Sequence, residues 1–159
     1  MSEIIIDGRK IGPEHPLYMV AELSANHNGK LQKALDTITK AKACGADAVK
    51  LQTYTADTMT IDSDHEDFCI QGGLWDGYKL YDLYKEAETP FEWHKTMFDH
   101  ARKIGITCFS TPFDETAVNL ATAIKNCINP ENNRNYSRNI SNVKKKYSWS
   151  RFVKKINIS

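Results

Sequence analysis

No apolar run in the 159 residues approaches the roughly 18 that cross a bilayer, and the N-terminus has no signal-peptide core. The expected setting is soluble and cytoplasmic. The four cysteines, Cys44, Cys69, Cys108 and Cys127, include no C-x-x-C pair. That removes the commonest zinc and redox motifs and leaves buried free thiols as the reading for three of them. Acidic residues are almost missing from one end. Residues 119–159 hold a single acid, Glu131, against nine Lys and Arg, with nine Asn, no Gly and no Asp. Residues 1–118 hold twelve basic and nineteen acidic residues, so the formal net charge of +1 joins two unlike sequences. The expected division is therefore 1–118 and 119–159.

What is present is a repeated design. Tyr18-Met19-Val20-Ala21-Glu22 is an apolar run ending in a carboxylate, followed by Leu23-Ser24-Ala25-Asn26-His27-Asn28-Gly29. Residues 46–52 end a second such run in Lys50 and Gln52, and residues 104–113 carry Ser110 and Thr111 before Pro112. Three strands with polar chemistry at their C-terminal ends, separated by helical stretches, are how a (β/α) barrel builds its active face. The fold class is α/β: the N-terminal portion of a (β/α)8 TIM barrel, incomplete because eight units need about 250 residues.

In chain order, Ile4-Ile5-Ile6, Asp7-Gly8 and Lys10-Ile11 read as a β-hairpin, because Asp-Gly suits a type I′ turn. The first barrel strand is expected over 17–22. Leu31, Ala34, Leu35, Ile38 and Ala41 recur at helical spacing, and Gly45 suits the C-cap before the second strand. Residues 53–77 read as a long acidic loop, a length that marks functional or disordered segments. Helices follow over 79–87 and 91–103, with Thr89 as N-cap, Pro90 in the first turn and Glu92 near a capping box. A third strand is expected at 105–110, and Asp114-Glu115-Thr116 opens the next helix. From Asn119 no apolar period is sustained, so the remainder reads as an irregular basic tail, frameshifted or disordered.

Each candidate site residue has a plainer reading beside it. Glu22 at a strand end suits a general base, or a loop-capping carboxylate. Lys50 in an apolar run is costly unless it meets an anion, or it snorkels to the strand end. Ser110 and Thr111 offer hydroxyls to a phosphate or carboxylate, or cap the next helix. Gln52 shares the alternation of Lys50. Asn26 and His27 suit substrate binding or loop hydrogen bonds, and no His has metal-ligand spacing. His94 and His100 read as surface residues of a helix. Trp75 and Tyr78 suit a sugar face or packing of the loop. Lys144 to Lys155, interleaved with Tyr147, Trp149 and Phe152, give a weak nucleic-acid or partner-binding signal.

These three strand motifs, in this order and spacing, resemble the sialic acid (nonulosonic acid) synthase family over residues 1 to about 118. Gly72-Gly73-Leu74-Trp75-Asp76-Gly77, the stretch 80–87 and Thr89-Pro90-Phe91-Glu92-Trp93-His94 resemble its pseudaminic acid branch; the neuraminate and legionaminate branches are the alternative. The resemblance implies condensation of phosphoenolpyruvate with 2,4-diacetamido-2,4,6-trideoxy-altrose, in cytoplasmic carbohydrate biosynthesis. It implies catalytic Glu22, phosphoenolpyruvate-binding Lys50, Thr111 and Ser110, and sugar-binding Gln52, Asn26 and His27. Members of the family use a divalent metal (Mn or Mg) and form homodimers through a C-terminal antifreeze-like domain. The later barrel strands, the two metal-binding His and that domain are not found in 119–159. The expectation is a truncated chain, inactive and poorly stable by itself. The alternative of another class is a non-enzymatic fragment that binds a partner through its basic tail.

Overall fold

The computed structural model describes residues 3–128, with the side chains of 125–128 left aside. The chain divides into two units, Met1–Ala121 and Thr122–Ser159. Every feature of the site lies in the first.

β1 (Ile4–Ile6) and β2 (Arg9–Ile11) pair antiparallel around Asp7 and Gly8. Both turn residues have positive φ (49° and 79°), as a type I′ turn requires. The Thr107 hydroxyl donates to Asp7 Oδ2 at 2.7 Å, and Arg9 pairs with Asp47. Thr107 and Asp47 lie at the N-terminal ends of two barrel strands, so the hairpin covers the end opposite the site.

β3 (Val20–Glu22), β4 (Ala48–Thr53) and β5 (Thr107–Pro112) form a parallel sheet in the order β3-β4-β5. Each expected strand exists, but β3, expected over 17–22, is confined to Val20–Glu22, and β4 and β5, each preceded by a helix, begin two residues late. The cause is how the preceding helices end. α1 (Leu31–Ala43) and α4 (Phe91–Ile104) both close through a left-handed glycine, Gly45 at φ 88° and Gly105 at φ 73°. The next residues are spent on the helix: Ala46 N–H donates to the Ala41 carbonyl and Ile106 N–H to that of Ala101, each at 3.0 Å. That is a Schellman closure, and the strand starts only after it.

Alternation divides the sheet into two faces. On the helix side, Leu23, Val49, Leu51 and Ile106 pack with Ala34 and Ile38 of α1 and Met97 and Ala101 of α4. Each large side chain buried there contributes about 1.5–3 kcal/mol. The open side carries Val20, Glu22, Lys50, Gln52, Phe109 and Thr111. Val20 and Phe109 are 44% and 39% exposed there, and among the described residues β3 and β5 each keep an unpaired edge.

Four expectations are corrected. The segment 53–77 is not an unstructured loop: it contains α2 (Ala56–Met59), capped by Thr55 and Thr58, and two 3-10 turns at Glu66–Phe68 and Gly73–Trp75. Lys79 ties it down by pairing with Asp62 and Asp64, while Trp75 and Tyr78 stay about half exposed. Thr89 is not the N-cap of α4, because Pro90 takes that position with ψ 135°; Thr89 is buried one residue earlier. α3 (Leu80–Ala87) precedes it as expected. His94 is not a surface residue, being 1% exposed.

The fourth correction concerns the apolar period, which does not stop at Asn119. α5 (Glu115–Ile128), whose Ala117 N–H is capped by Asp114 Oδ1 at 2.7 Å, runs ten residues beyond position 118. Ala117, Leu120, Ala121 and Ile124 hold an i, i+3, i+4, i+7 spacing, and Ala117 and Ile124 are buried. The Asn-rich composition hides that period. The basic stretch 144–155 and the expectations attached to it lie outside the described residues.

Of the cysteines, Cys44 is exposed while Cys108 is buried enough that its thiol is pushed up to about 12. The side chain of Cys127 is outside those described. No helix among the described residues is long and apolar enough to cross a membrane.

Candidate active site

The site follows from register. Parallel pairing sets Glu22 beside Lys50 and Lys50 beside Phe109; two residues further on it sets Gln52 beside Thr111. All five share the open side, in two rows at the C-terminal ends of the strands. Lys50 Nζ sits 2.6 Å from Glu22 Oε2, with the two side chains 32% and 42% exposed. A pair that wet adds at most about 1 kcal/mol to stability. Its geometry therefore serves a ligand better than the fold: an ammonium has three donors, and Glu22 takes one.

The loop after β3 completes the wall. Ser24 and Asn28 both adopt φ 47°, a left-handed conformation that costs a non-glycine residue about 1 kcal/mol or more. The strained turn aims Ser24 Oγ at Gln52 Oε1, 3.0 Å away, leaving the Gln52 NH₂ group directed elsewhere. Asn26 turns its amide back onto the Leu23 carbonyl at 2.9 Å.

Two sequence candidates stand apart from this wall. His27 is fully buried: its Nδ1 accepts from Gly29 N–H at 3.1 Å, its Nε2 lies 3.3 Å from the Thr89 hydroxyl, and Trp93 meets its ring edge-on. With both nitrogens engaged, His27 holds the loop to the α3–α4 junction and does not face the open side. Burial pushes its pKa below the ordinary histidine value, with the Ala87 carbonyl acting the other way. Ser110 is also displaced. It neighbours Thr111, and adjacent strand residues point to opposite faces, so its hydroxyl meets Thr53 Oγ1 on the helix side at 2.5 Å. Thr53 in turn lies 2.7 Å from His94 Nε2.

Ser24, Thr53 and His94 are the residues that sequence reasoning passed over. Thr53 continues the alternation of Val49 and Leu51, and His94 is i, i+3, i+7 with the buried Met97 and Ala101. Both signals are legible. Ser24 has none beyond its place after a strand. Among the described residues no cluster of three His, Cys, Asp or Glu is arranged to hold a metal ion.

Comparison with known proteins identifies the family. Residues 37–129 match the NeuB family, past the boundary expected at 118. The chain is 58% identical over 97 residues to the pseudaminic acid synthase of Campylobacter jejuni, covering 61% of this chain and 28% of that protein. It is 49% identical over 112 residues to the pseudaminic acid synthase of Helicobacter pylori, covering 70% and 33%. The crystal structure of N-acetylneuraminic acid (sialic acid) synthetase from Leptospira borgpetersenii, determined with citrate, superposes with a TM-score of 0.62 at 28% identity, over 77% of this chain and 38% of that one. The chain thus spans about a third or less of the curated relatives it matches, and its β/α units correspond to part of a TIM barrel. On the family match across more than half of its length, the chain belongs to the NeuB family.

Proposed function

We propose that this chain supplies one wall of a pseudaminic acid synthase site, where phosphoenolpyruvate meets 2,4-diacetamido-2,4,6-trideoxy-altrose. The observation that carries the reading is the two-row register, Glu22 beside Lys50 and Gln52 beside Thr111, on the open side of the sheet. Lys50 and Thr111 are a cation and a hydroxyl donor facing the same space, which suits the phosphate or carboxylate of phosphoenolpyruvate. Glu22, within reach of Lys50, stands at the reacting centre as the carboxylate that orients or relieves a proton. Gln52, steadied by Ser24, and Asn26 address the sugar. Ser110 and His27 act at one remove, through Thr111 and the Ser24–Gly29 loop.

The reaction forms a bond between C3 of phosphoenolpyruvate and the aldehyde carbon of the open-chain sugar. Water adds at C2 and phosphate leaves. A divalent cation would polarise the aldehyde in such a synthase. The described residues offer no set of ligands for one, so no step here is routed through it. The substrate is taken from the similarity to the two pseudaminic acid synthases, and neuraminate or legionaminate synthesis is the runner-up. The described residues bind; the complete reaction belongs to a barrel that includes the further β/α units.

The test is a titration of the isotope-labelled 159-residue chain with phosphoenolpyruvate. Saturable shifts centred on the amides of Lys50, Gln52 and Thr111 are expected, with no pseudaminate formed when the sugar is added. Shifts absent from that wall, or spread evenly over α1, would overturn the binding assignment. Measurable pseudaminate would overturn the division of labour.

A further inference from the structure

The buried polar groups that the proposed chemistry leaves unused form a chain of their own on the helix side of the sheet. His94, in the first turns of α4, has Nδ1 3.1 Å from the Pro90 carbonyl. A carbonyl only accepts, so Nδ1 carries the proton, and in the neutral ring Nε2 is left as an acceptor. Thr53 Oγ1, 2.7 Å from Nε2, must then donate to it. With its proton so placed, Thr53 accepts at 2.5 Å from the Ser110 hydroxyl. The chain therefore runs one way, Ser110 to Thr53 to His94 to Pro90. Thr53 and His94 are 0% and 1% exposed, so nothing from solvent competes. Burial lowers the pKa of His94 from the ordinary histidine value, with the carbonyls of Pro90, Phe91 and Gln52 acting the other way.

We infer that Ser110, Thr53 and His94 are a positioning relay that sets the ends of β4 and β5 for ligand binding on the opposite face. The mechanism is alternation. Thr53 follows Gln52 and Ser110 precedes Thr111, so fixing Thr53 and Ser110 toward the helices points Gln52 and Thr111 to the open side. Phe113 N–H donates to the Thr53 carbonyl at 3.1 Å, extending the strand pairing past Pro112, which has no N–H to give. An apolar core needs no hydroxyl pair and imidazole here; a valine has nearly the shape of Thr53. A buried polar chain of this kind costs desolvation unless every member is satisfied, and here its links fix one geometry. His94 thus acts through Thr53 and Ser110 and touches no ligand. The inference rests on the phosphoenolpyruvate reading of the wall and adds the device that orients it.

The experiment compares Thr53→Val, Thr53→Ser and Ser110→Ala in the 159-residue chain. Three quantities are read: the ¹⁵N shifts of His94, hydrogen exchange at the Phe113 amide relative to Val49, and the Kd for phosphoenolpyruvate. The parent is expected to show a proton on Nδ1 and a bare Nε2. T53V should raise Kd roughly tenfold and quicken Phe113 exchange by a similar factor, the scale of one net hydrogen bond, whereas T53S restores both. A purely structural role would lower the melting temperature and leave Kd of the folded protein unchanged. S110A, which removes only the first donor, serves if T53V does not fold. Unchanged Kd and Phe113 protection in these variants, or a proton on Nε2, would overturn the relay. If the parent does not bind phosphoenolpyruvate, the binding reading fails, while Phe113 exchange and the His94 signature still decide the relay.

Discussion

The two faces of one strand teach most about this protein. In β4, Val49, Leu51 and Thr53 turn to α1 and α4 and are almost completely buried, while Lys50 and Gln52, between them in sequence, face the open side and stay partly wet. The helix side explains why the sheet exists. The open side explains what it presents. Because a strand alternates strictly, neither face can change without leaving the other in place, and the comparison is tested by substituting one face at a time.

The largest effect is expected from the helix side. Leu51→Ala removes a side chain 1% exposed in the core and should cost about 2–5 kcal/mol, read from the urea midpoint. Phe109→Ala on the open side, where the ring is 39% exposed, should change stability by no more than about 1 kcal/mol. Equal losses at the two positions would erase the distinction between the faces.

A second contrast is with pH. Burial lowers the pKa of both His27 and His94 from 6.5. Each therefore binds fewer protons folded than unfolded below that value, and stability rises with pH across the window. The urea midpoint should hold from pH 8 to about 7, then fall as pH drops through 6.5 toward the lowered folded values. A midpoint flat from pH 7.5 to 5 would mean the two rings are not held neutral.

The smallest effect is kinetic. Cys108 lies on the helix side with its thiol pushed up to about 12, whereas Cys44 is exposed at the end of α1. Thiol labelling followed by peptide mapping should modify Cys44 at least about a hundredfold faster than Cys108, given how little thiolate the latter holds. Comparable rates would show that the helix side opens readily.

Much of this was legible in the residues. The hairpin turn, the three strand ends and the amphipathic α1 follow from Asp7-Gly8, from apolar runs closing in Glu22, Lys50 and Thr111, and from the 31, 34, 35, 38, 41 spacing. The misses have physical causes. Ser110 and Thr111 read alike as hydroxyls before a proline, although adjacent strand residues point to opposite faces. His94 reads as a surface residue of its helix, although its spacing to Met97 and Ala101 places it with the buried stripe. Thr89 has the chemistry of an N-cap, but the extended Pro90 takes the position and frees its hydroxyl for His27. The apolar period of α5 is hidden because the composition turns Asn-rich about ten residues before the helix ends. Ser24 depends on a left-handed turn that no local pattern announces.

The central claim is that the open side of the sheet is the ligand wall, with Lys50 as its anion-binding cation. Calorimetric titration of phosphoenolpyruvate into the parent chain, Lys50→Ala and Lys33→Ala tests it directly, since Lys33 is an exposed cation of α1. The account predicts that Lys50→Ala weakens binding at least roughly tenfold, the scale of one charge-assisted contact, while Lys33→Ala leaves it unchanged. Equal affinities in all three proteins would contradict it.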